Sequence, residues 1–489
     1  MATHSLGIDI RDTYEQKYGF KTATKSAYET DIGLFEKTIH EISDVKNEPQ
    51  WLRKFRLEAY AHFIKRKLPT WGADLSGIDF GDIVYYAKPS NAQENSWEDV
   101  PSEIKDTFEK LGIPQAERKF LAGVGAQFES ENVYHSLQKR LHQLGVVFVD
   151  PDMALNPNKE RAKEMGLDWD KLQIAHSHFK KWFGKVVPKE DNKFASLNSA
   201  TFSGGSFIYI PPNVDVDLPL QAYFRINKEN MGQFERTLII ADEGSKLHYI
   251  EGCSAPQYRG KRHSLHTAVV EIVALKNAKV RYTTLQNWSN NVYNLVTKRA
   301  FAYEGAYVEW LDANIGSKIT MKYPSIYLLG KDATGDILSV AYAGKGQMQD
   351  AGGKVVHIAP NTNSKIISKS VSKDGGKCSY RGLLHIGKNA HNAKSTVRCD
   401  ALLVDSLSKT DTIPYNEINN DSATVTHEAS VGKIGEDLIF YLRSRGLSEQ
   451  QALGMIVNGF LEIFTKELPM EYAVEFNRLI QLEMAGSVG

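Results

Sequence analysis

Two hydrophobic periods divide the chain. Up to about residue 195, apolar residues recur at three- and four-residue steps. Trp51, Phe55, Leu57, Tyr60, Phe63 and Ile64 fall between charged positions, and the stretches Glu117 to Phe128 and Asn132 to Leu144 look similar. Pro69-Thr70-Trp71-Gly72 and Gly112-Ile113-Pro114 interrupt this pattern, which predicts a mostly helical, irregular region over 1–195. From about Ser203 the period shortens to alternating or β-branched runs: Phe207 to Ile210, Thr237 to Ile240, Val269 to Val273, Val280 to Leu285, Ile326 to Leu329 and Val355 to Ile358. Gly, Asn, Asp and Pro clusters separate them, so the core over 196–434 is predicted to be built of strands. After Gly435 the helical period returns. Ser448 with Gln451 forms a capping-box pattern ahead of Ala452, Met455, Ile456, Phe460, Leu461 and Phe464, and a second helix follows Pro469. The segment 435–489 is more apolar than a few helices can hide alone, so it either packs on the strand region or offers a partner surface.

Spacing within the strand region narrows the fold further. Small residues open strands at Ala278, Ala306, Gly335, Ser364, Ala393 and Ser422, steps of 28 or 29 residues, and Val280, Val308, Ile337 and Ile366 follow two positions after the first four. Equal steps with an apolar companion column are the signature of stacked coils, each completing the core of the one before it. The fold class predicted is mainly β, a parallel β-helix between helical terminal regions.

Charge changes the picture by exclusion. With 59 Lys+Arg against 59 Asp+Glu the net charge is zero, which removes the footprint that sequence-independent nucleic-acid binding needs. No basic patch leads an apolar run at the start, and nothing approaches the ~18 apolar residues of a membrane span; the expectation is a cytoplasmic protein with no nucleic-acid or membrane partner. Three cysteines, Cys253, Cys378 and Cys399, without a Cys-x-x-Cys pair, are too few for a disulfide framework and read as reduced thiols.

Most catalytic motifs are absent. There is no Gly-x-x-x-x-Gly-Lys-Ser/Thr loop, no Gly-x-Ser-x-Gly and no His-Glu-x-x-His, and Gly123-Val124-Gly125 carries little information. The cysteines remain. Cys253 precedes Arg259, Lys261, Arg262 and His263, and nearby positive charge favours a thiolate nucleophile; the alternative is a small core residue. Cys378 reads as a turn and wall residue. Cys399 and Glu428 are 29 residues apart, which on a 29-residue coil stacks them on one face, where a thiolate and a carboxylate can share a metal ion. His427 is a third candidate, which strict alternation would aim at the opposite face.

These motifs resemble the SufB/SufD family of iron–sulfur cluster assembly proteins. The matching strings are Pro69 to Ser76, Leu111 to Pro114, Glu117 to Lys119, Leu121 to Gln127, Ser203 to Tyr209, Pro219 to Asn227, Glu251-Gly252-Cys253, Gln286-Asn287-Trp288, Thr297-Lys298-Arg299 and His427-Glu428-Ala429, nearly the whole length of the chain. The resemblance implies a right-handed parallel β-helix and, within the family, the SufB-type role: a scaffold without enzymatic activity of its own that builds a cluster and passes it to apoproteins. It implies persulfide sulfur accepted at Cys253, a path lined by Arg225, Asn227, Gln286, Trp288 and Lys298, and a transient 4Fe–4S cluster at Cys399, His427 and Glu428, with reduced flavin in the complex. Implied partners are a SufC-type ATPase at the C-terminal helices, a SufD-type paralogue or a second copy, and a cysteine desulfurase or its sulfur carrier. An N-terminal cysteine motif carried by some members is absent.

Two other readings differ in class. A β-helix carbohydrate-active enzyme would need acidic residues clustered in one groove, and Asp400, Asp405 and Asp411 form no such motif. A structural SufD-like paralogue would have no use for Cys253, Cys399 and Glu428 together.

Overall fold

The computed structural model describes residues 19–22, 24–89, 93–94, 96–256 and 262–484. Its centre is a parallel β-helix. After the short strands β1 (Tyr28–Glu29) and β2 (Ala87–Lys88) come β3 (Gly123–Phe128), β4 (Glu131–Leu137) and β5 (Val147–Val149). The coils then run through β6 (Phe207–Ile210), β7 (Leu220–Arg225), β8 (Gly232–Ala241), β9 (Lys246–Ser254), β10 (Ser264–Ala274), β11 (Lys279–Trp288), β12 (Val292–Ala302) and β13 (Tyr307–Gly316). They continue with β14 (Ile319–Lys322), β15 (Ser325–Leu328), β16 (Thr334–Ala343), β17 (Met348–His357), β18 (Asn363–Ser372), β19 (Lys377–Ile386), β20 (Lys394–Leu403), β21 (Lys409–Ile418) and β22 (Thr424–Lys433). Successive strands alternate between two ten-stranded sheets, one ordered β21-β19-β17-β14-β12-β10-β8-β6-β5 with β15 beside β14, the other β22-β20-β18-β16-β13-β11-β9-β7-β3-β4.

Each strand bonds to the strand one coil away, so backbone groups are satisfied between coils while alternate side chains meet inside. The corners repeat. Asn277, Asp332, Asn361 and Asn392 take the left-handed conformation just before β11, β16, β18 and β20, where short polar side chains tolerate it. The equivalent corner before β13 holds Gly305, whose Cβ would stand 2.2 Å from Asn277 Oδ1.

The small-residue column exists, with a corrected register. Backbone bonds from Lys279, Tyr307, Thr334, Asn363, Lys394 and Thr424 to the preceding coil trace it through Ser245, Ala278, Ala306, Ala333, Thr362 and Ala393, all of them fully buried. The coils are not equal: Lys279 pairs with Tyr307, Tyr307 with Thr334, Thr334 with Asn363, Asn363 with Lys394 and Lys394 with Thr424. Their lengths are therefore 28, 27, 29, 31 and 30 residues. Gly335 and Ser364 sit two positions beyond the column, and Ser422 one short of it.

The N-terminal region packs helices Gln50–Lys65, Trp169–Trp182 and Lys193–Thr201 against the outer face of the first sheet. Each of the two stretches expected to be helical, Glu117 to Phe128 and Asn132 to Leu144, is split between a helix (Ile113–Phe120 and Lys139–Leu144) and a strand. β3 and β4 form an antiparallel pair that extends the second sheet beyond β7, and β5 pairs with β6; the six residues of β3 are all buried, so completing a sheet outweighs their local helical preference. At the other end, helices Glu449–Thr465 and Met470–Met484 lay Val457, Leu461, Phe464, Phe476 and Ile480 on Leu311, Val340, Tyr342 and Val371 of the second sheet. The capping box is present, with Gln451 N donating to Ser448 Oγ at 3.2 Å and Ser448 N to Gln451 Oε1 at 2.9 Å. The C-terminal segment takes the packing alternative, and it still leaves Phe440 74%, Met455 61% and Met470 75% exposed. Among the described residues no helix is long and apolar enough to cross a membrane.

Candidate functional site

Strand alternation turns one set of polar side chains into the lumen of the β-helix. From the first sheet come Glu235 (β8), His266 (β10), Lys298 (β12) and Lys322 (β14); from the second come Glu251 and Cys253 (β9), Tyr282, Thr284, Gln286 and Trp288 (β11), and Asp312 (β13). Every one is at most 1% exposed. They meet across the lumen: Lys298 Nζ lies 3.2 Å from Asp312 Oδ1, 3.9 Å from Glu251 Oε1 and 4.6 Å from the centre of the Tyr282 ring. It also bonds Thr284, and the Tyr282 hydroxyl donates to Glu251 Oε2. Asn294 donates to Gln286 Oε1 at 2.7 Å, and the Trp288 ring lies 4.6 Å from the His266 ring, tilted by 38°.

Burial governs the protonation of this cluster. It pushes the Cys253 thiol well above its ordinary value, with Glu251 and Glu235 adding to the rise and Lys298 and Lys322 opposing it. The expectation of a thiol activated by a basic loop is therefore corrected. Arg259 and Lys261 lie outside the described residues, Arg262 approaches Asp82 and His263 approaches Lys318. The positive charges facing Cys253 belong to other coils, and the resting thiol is protonated. Burial, then the Glu251 charge, likewise raises Glu235. His266 is lowered to about 4 by burial, so its ring is neutral at pH 7, and burial lowers Lys322 to about 8. Asp312 goes the other way: burial would raise it, but Lys298 and Lys322 hold it below the usual carboxylate range.

A polar column connects this cluster with Cys399. Glu251, Thr284, Asp312, Ser339, Ser368 and Cys399 are register partners in succession along the second sheet, all inward and all buried. Cys399 is 4% exposed beside Val397 and Tyr380, and burial pushes its thiol to about 12. Cys378 is also buried, against Ala341 and Ala343, with its thiol at about 12 for the same reason.

Four expected placements change. Cys399 pairs with Ala429 across the last two coils, while Glu428 pairs with Arg398. The separating coil has 30 residues, and a one-residue slip exchanges the faces: Glu428 is exposed on the outer face, and His427 shares the inner face with Cys399, two positions before Ala429. His427 Nδ1 lies 3.2 Å from Asn416 Nδ2. Arg225 and Asn227 do not line the lumen either. Arg225 pairs with Ser254, next to Cys253 on the opposite face, and donates to Ser254 Oγ at 3.0 Å and to Phe20 O at 2.7 Å. Asn227 Nδ2 donates to Thr22 O at 2.7 Å. Both fasten the N-terminal segment to the outside of the β-helix. Gln286, Trp288 and Lys298 do face the lumen with Cys253.

Glu235, Glu251, His266, Asp312 and Lys322 escaped the sequence reading. A signal existed: in Glu235-Arg236-Thr237-Leu238-Ile239-Ile240-Ala241, alternation puts Glu235 on the face of Ile239 and Ala241, a charge where a core side chain belongs. The last coil is the least covered, with Leu407 73%, Tyr415 60% and Val431 57% exposed and the outer edges of β21 and β22 unpaired among the described residues.

Known proteins place this architecture. The family model described as SUF system FeS cluster assembly, SufBD core domain, matches residues 224–460, which span the lumen cluster and the terminal coil. An iron–sulfur cluster assembly SufBD family protein of Staphylococcus aureus (strain MRSA252) is 58% identical over 478 residues, 98% of this chain and 99% of its own. One from Staphylococcus epidermidis is 57% identical over the same 478 residues and the same shares. With identity at this level over almost the full length of both chains, this chain belongs to the SufBD family of iron–sulfur cluster assembly proteins.

Proposed function

We propose that the chain is a SufB-type scaffold that takes sulfur as persulfide at Cys253, passes it along the lumen and builds a cluster around Cys399. The observation that carries this reading is the unbroken inward polar column from Glu251, two residues from Cys253, to Cys399. Hydroxyls and charges in a β-helix core cost stability that apolar residues would not; a route for polar cargo accounts for them. Gln286, Trp288 and Lys298 line its first part. Arg225 and Asn227 act from outside, holding the backbone beside Cys253 under the N-terminal segment. At the far end Cys399 and His427 offer a soft and a borderline ligand from the inner face, and Glu428 offers a carboxylate from the outer face, suited to a cluster seated at the open last coil. Such mixed ligation holds iron less firmly than four thiolates, as release to apoproteins requires.

The partners follow the same logic. The unpaired edges of β21 and β22 suit a SufD-type paralogue or a second copy, and the exposed apolar residues of the C-terminal helices suit a SufC-type ATPase, since the chain has no phosphate-binding loop of its own. A cysteine desulfurase or its carrier supplies the sulfur, and reduced flavin in the complex supplies electrons for a 4Fe–4S product.

Radiolabelled sulfur from a desulfurase tests the reading. Label should reside on Cys253 in the wild type and fall sharply in Cys253→Ser, while Cys399→Ala keeps the label and loses the cluster spectrum. Equal labelling of Cys253→Ser overturns the assignment and returns the chain to a structural, SufD-like role.

A further inference from the structure

The strongest unassigned feature is a set of metal-ligating atoms at Cys253, far from the terminal coil. One carboxylate oxygen each of Glu235 and Glu251 and the Cys253 sulfur all lie within 4.8 Å of one another. His266 Nε2 is 3.5 Å from Glu235 Oε1. The hydrogen bonds around His266 fix its tautomer. Asn294 Nδ2 donates to Gln286 Oε1 at 2.7 Å and to Thr320 Oγ1 at 3.3 Å, so Asn294 Oδ1 faces His266 Nδ1 at 2.8 Å and that nitrogen carries the proton. The lone pair of Nε2 therefore points at a carboxylate. Among the described residues, His266 Nε2 and both oxygens of Glu235 have no hydrogen-bond partner, in side chains at most 1% exposed. Acceptors facing each other in a dry lumen are costly unless a proton or a metal ion lies between them.

Among the described residues, the charged side chains projecting into this stretch are Glu235, Glu251 and Asp312 against Lys298 and Lys322. A metal ion entering the set would displace the protons of Glu235 and Cys253, and with both ionised one divalent ion balances the charge. Ligand chemistry narrows it further: a thiolate, a neutral imidazole and carboxylates suit borderline first-row metals and disfavour magnesium or calcium. Glu235, Glu251 and Cys253 form the mutually close set, and His266 joins it through Glu235. The surrounding shell is in place, with Tyr282 on Glu251 and Asn294 on His266.

The geometry points to a mononuclear divalent transition-metal site formed by Glu235, Glu251, Cys253 and His266, which takes ferrous iron. This deepens the scaffold reading and rests on it for the identity of the metal: iron and sulfur would first meet at Cys253, and the terminal coil would complete the cluster rather than begin it.

Cobalt(II) alone is the probe, added anaerobically to the full-length, chelator-treated, reduced chain. The expected result is one tightly bound equivalent with a thiolate-to-cobalt charge-transfer band. Cys253→Ser should lose the band, Glu235→Gln and His266→Gln should each weaken binding ten-fold or more, and Cys399→Ala should change neither. On the wild type, where no variant can misfold, bound cobalt should protect Cys253 from alkylation as mapped by mass spectrometry, and ferrous iron should compete with cobalt for the site. Absence of binding, a band that follows Cys399, or Cys253 alkylation unaffected by cobalt would each overturn the proposal. Sulfur labelling of the metal-free chain separates the two ideas: loss of labelling with cobalt binding intact sinks the scaffold reading and spares the site, and the reverse sinks the site alone.

Discussion

Lys298 Nζ and Lys322 Nζ each stand 3.2 Å from the same oxygen, Asp312 Oδ1, with all three side chains closed off from water. Two ammonium groups share one carboxylate in the middle of a β-helix core. Removing that carboxylate leaves both charges without their common partner, and breaking a buried pair in this way typically costs about 3–5 kcal/mol. Asp312→Asn should lower the stability of the chain by that order in urea unfolding, and adding Lys322→Met should recover part of it. An unchanged midpoint would show that the two lysines find other partners.

Cys399 and Cys378 are both buried with thiols at about 12, yet they should behave differently. Each Cys→Ala change removes one small group from a packed site and should cost ~1 kcal/mol. Cys399→Ala should then fail to assemble a cluster while accepting sulfur at Cys253; Cys378→Ala should assemble it normally. Absorption spectra after anaerobic reconstitution, read beside the unfolding curves, decide the matter.

Deleting the C-terminal helices is a poor test of partner binding, because Val457, Leu461 and Phe476 cover Leu311 and Val340 of the second sheet. Point changes on the exposed side are cleaner. Phe440→Asp and Met455→Asp should move stability by under ~0.5 kcal/mol and abolish co-purification with the ATPase. Full capture by the double variant would place the docking surface elsewhere.

Glu483, 4% exposed on the buried face of the last helix, is raised to about 8 by burial, with Lys373 opposing. In the unfolded chain the same carboxyl titrates near ~4.3. Between these values the folded form keeps a proton that the unfolded form has released, so this contribution is whole below the unfolded value and is lost as pH rises through the folded one. Stability should fall with rising pH over that window by at most ~1.4 kcal/mol per pH unit, and Glu483→Gln should flatten the slope. A variant as pH-sensitive as the wild type in thermal melts between pH 5 and 8.5 would assign the slope to another group.

What could be read from the sequence follows from the parity of a strand. The alignment misplaces Gly335 and Ser364 by two residues, and an even error keeps every side chain on its own face; the β-helix and its inward columns were legible despite it. The last coil is off by one, which exchanges faces and puts His427, not Glu428, beside Cys399. Coil lengths vary at corners, where an added residue costs little and leaves no periodic trace. Arg225 was misjudged for another reason: its partner, Phe20 O, is 205 residues away, and no local pattern encodes such a contact. Glu235 and His266 were missed because each stands among other polar letters at the start of its strand, beside Gln233, Arg236 and Thr237 or beside Ser264 and Thr267, and their significance arises only when separate coils bring them together.

The inward column from Glu251 to Cys399 also sets a length. Five register steps separate the two residues, and at ~4.8 Å per coil that is roughly 24 Å of lumen. No cysteine swinging about its own side-chain bonds crosses such a span. On the proposed reading the column between them, Thr284, Asp312, Ser339 and Ser368, holds no thiol to take the sulfur onward; persulfide sulfur bound for Cys399 has to leave Cys253 as sulfide, released by two electrons from the reduced flavin, so the problem is one of freight as much as of chemistry: a cargo kept reduced and out of water for the whole of the journey.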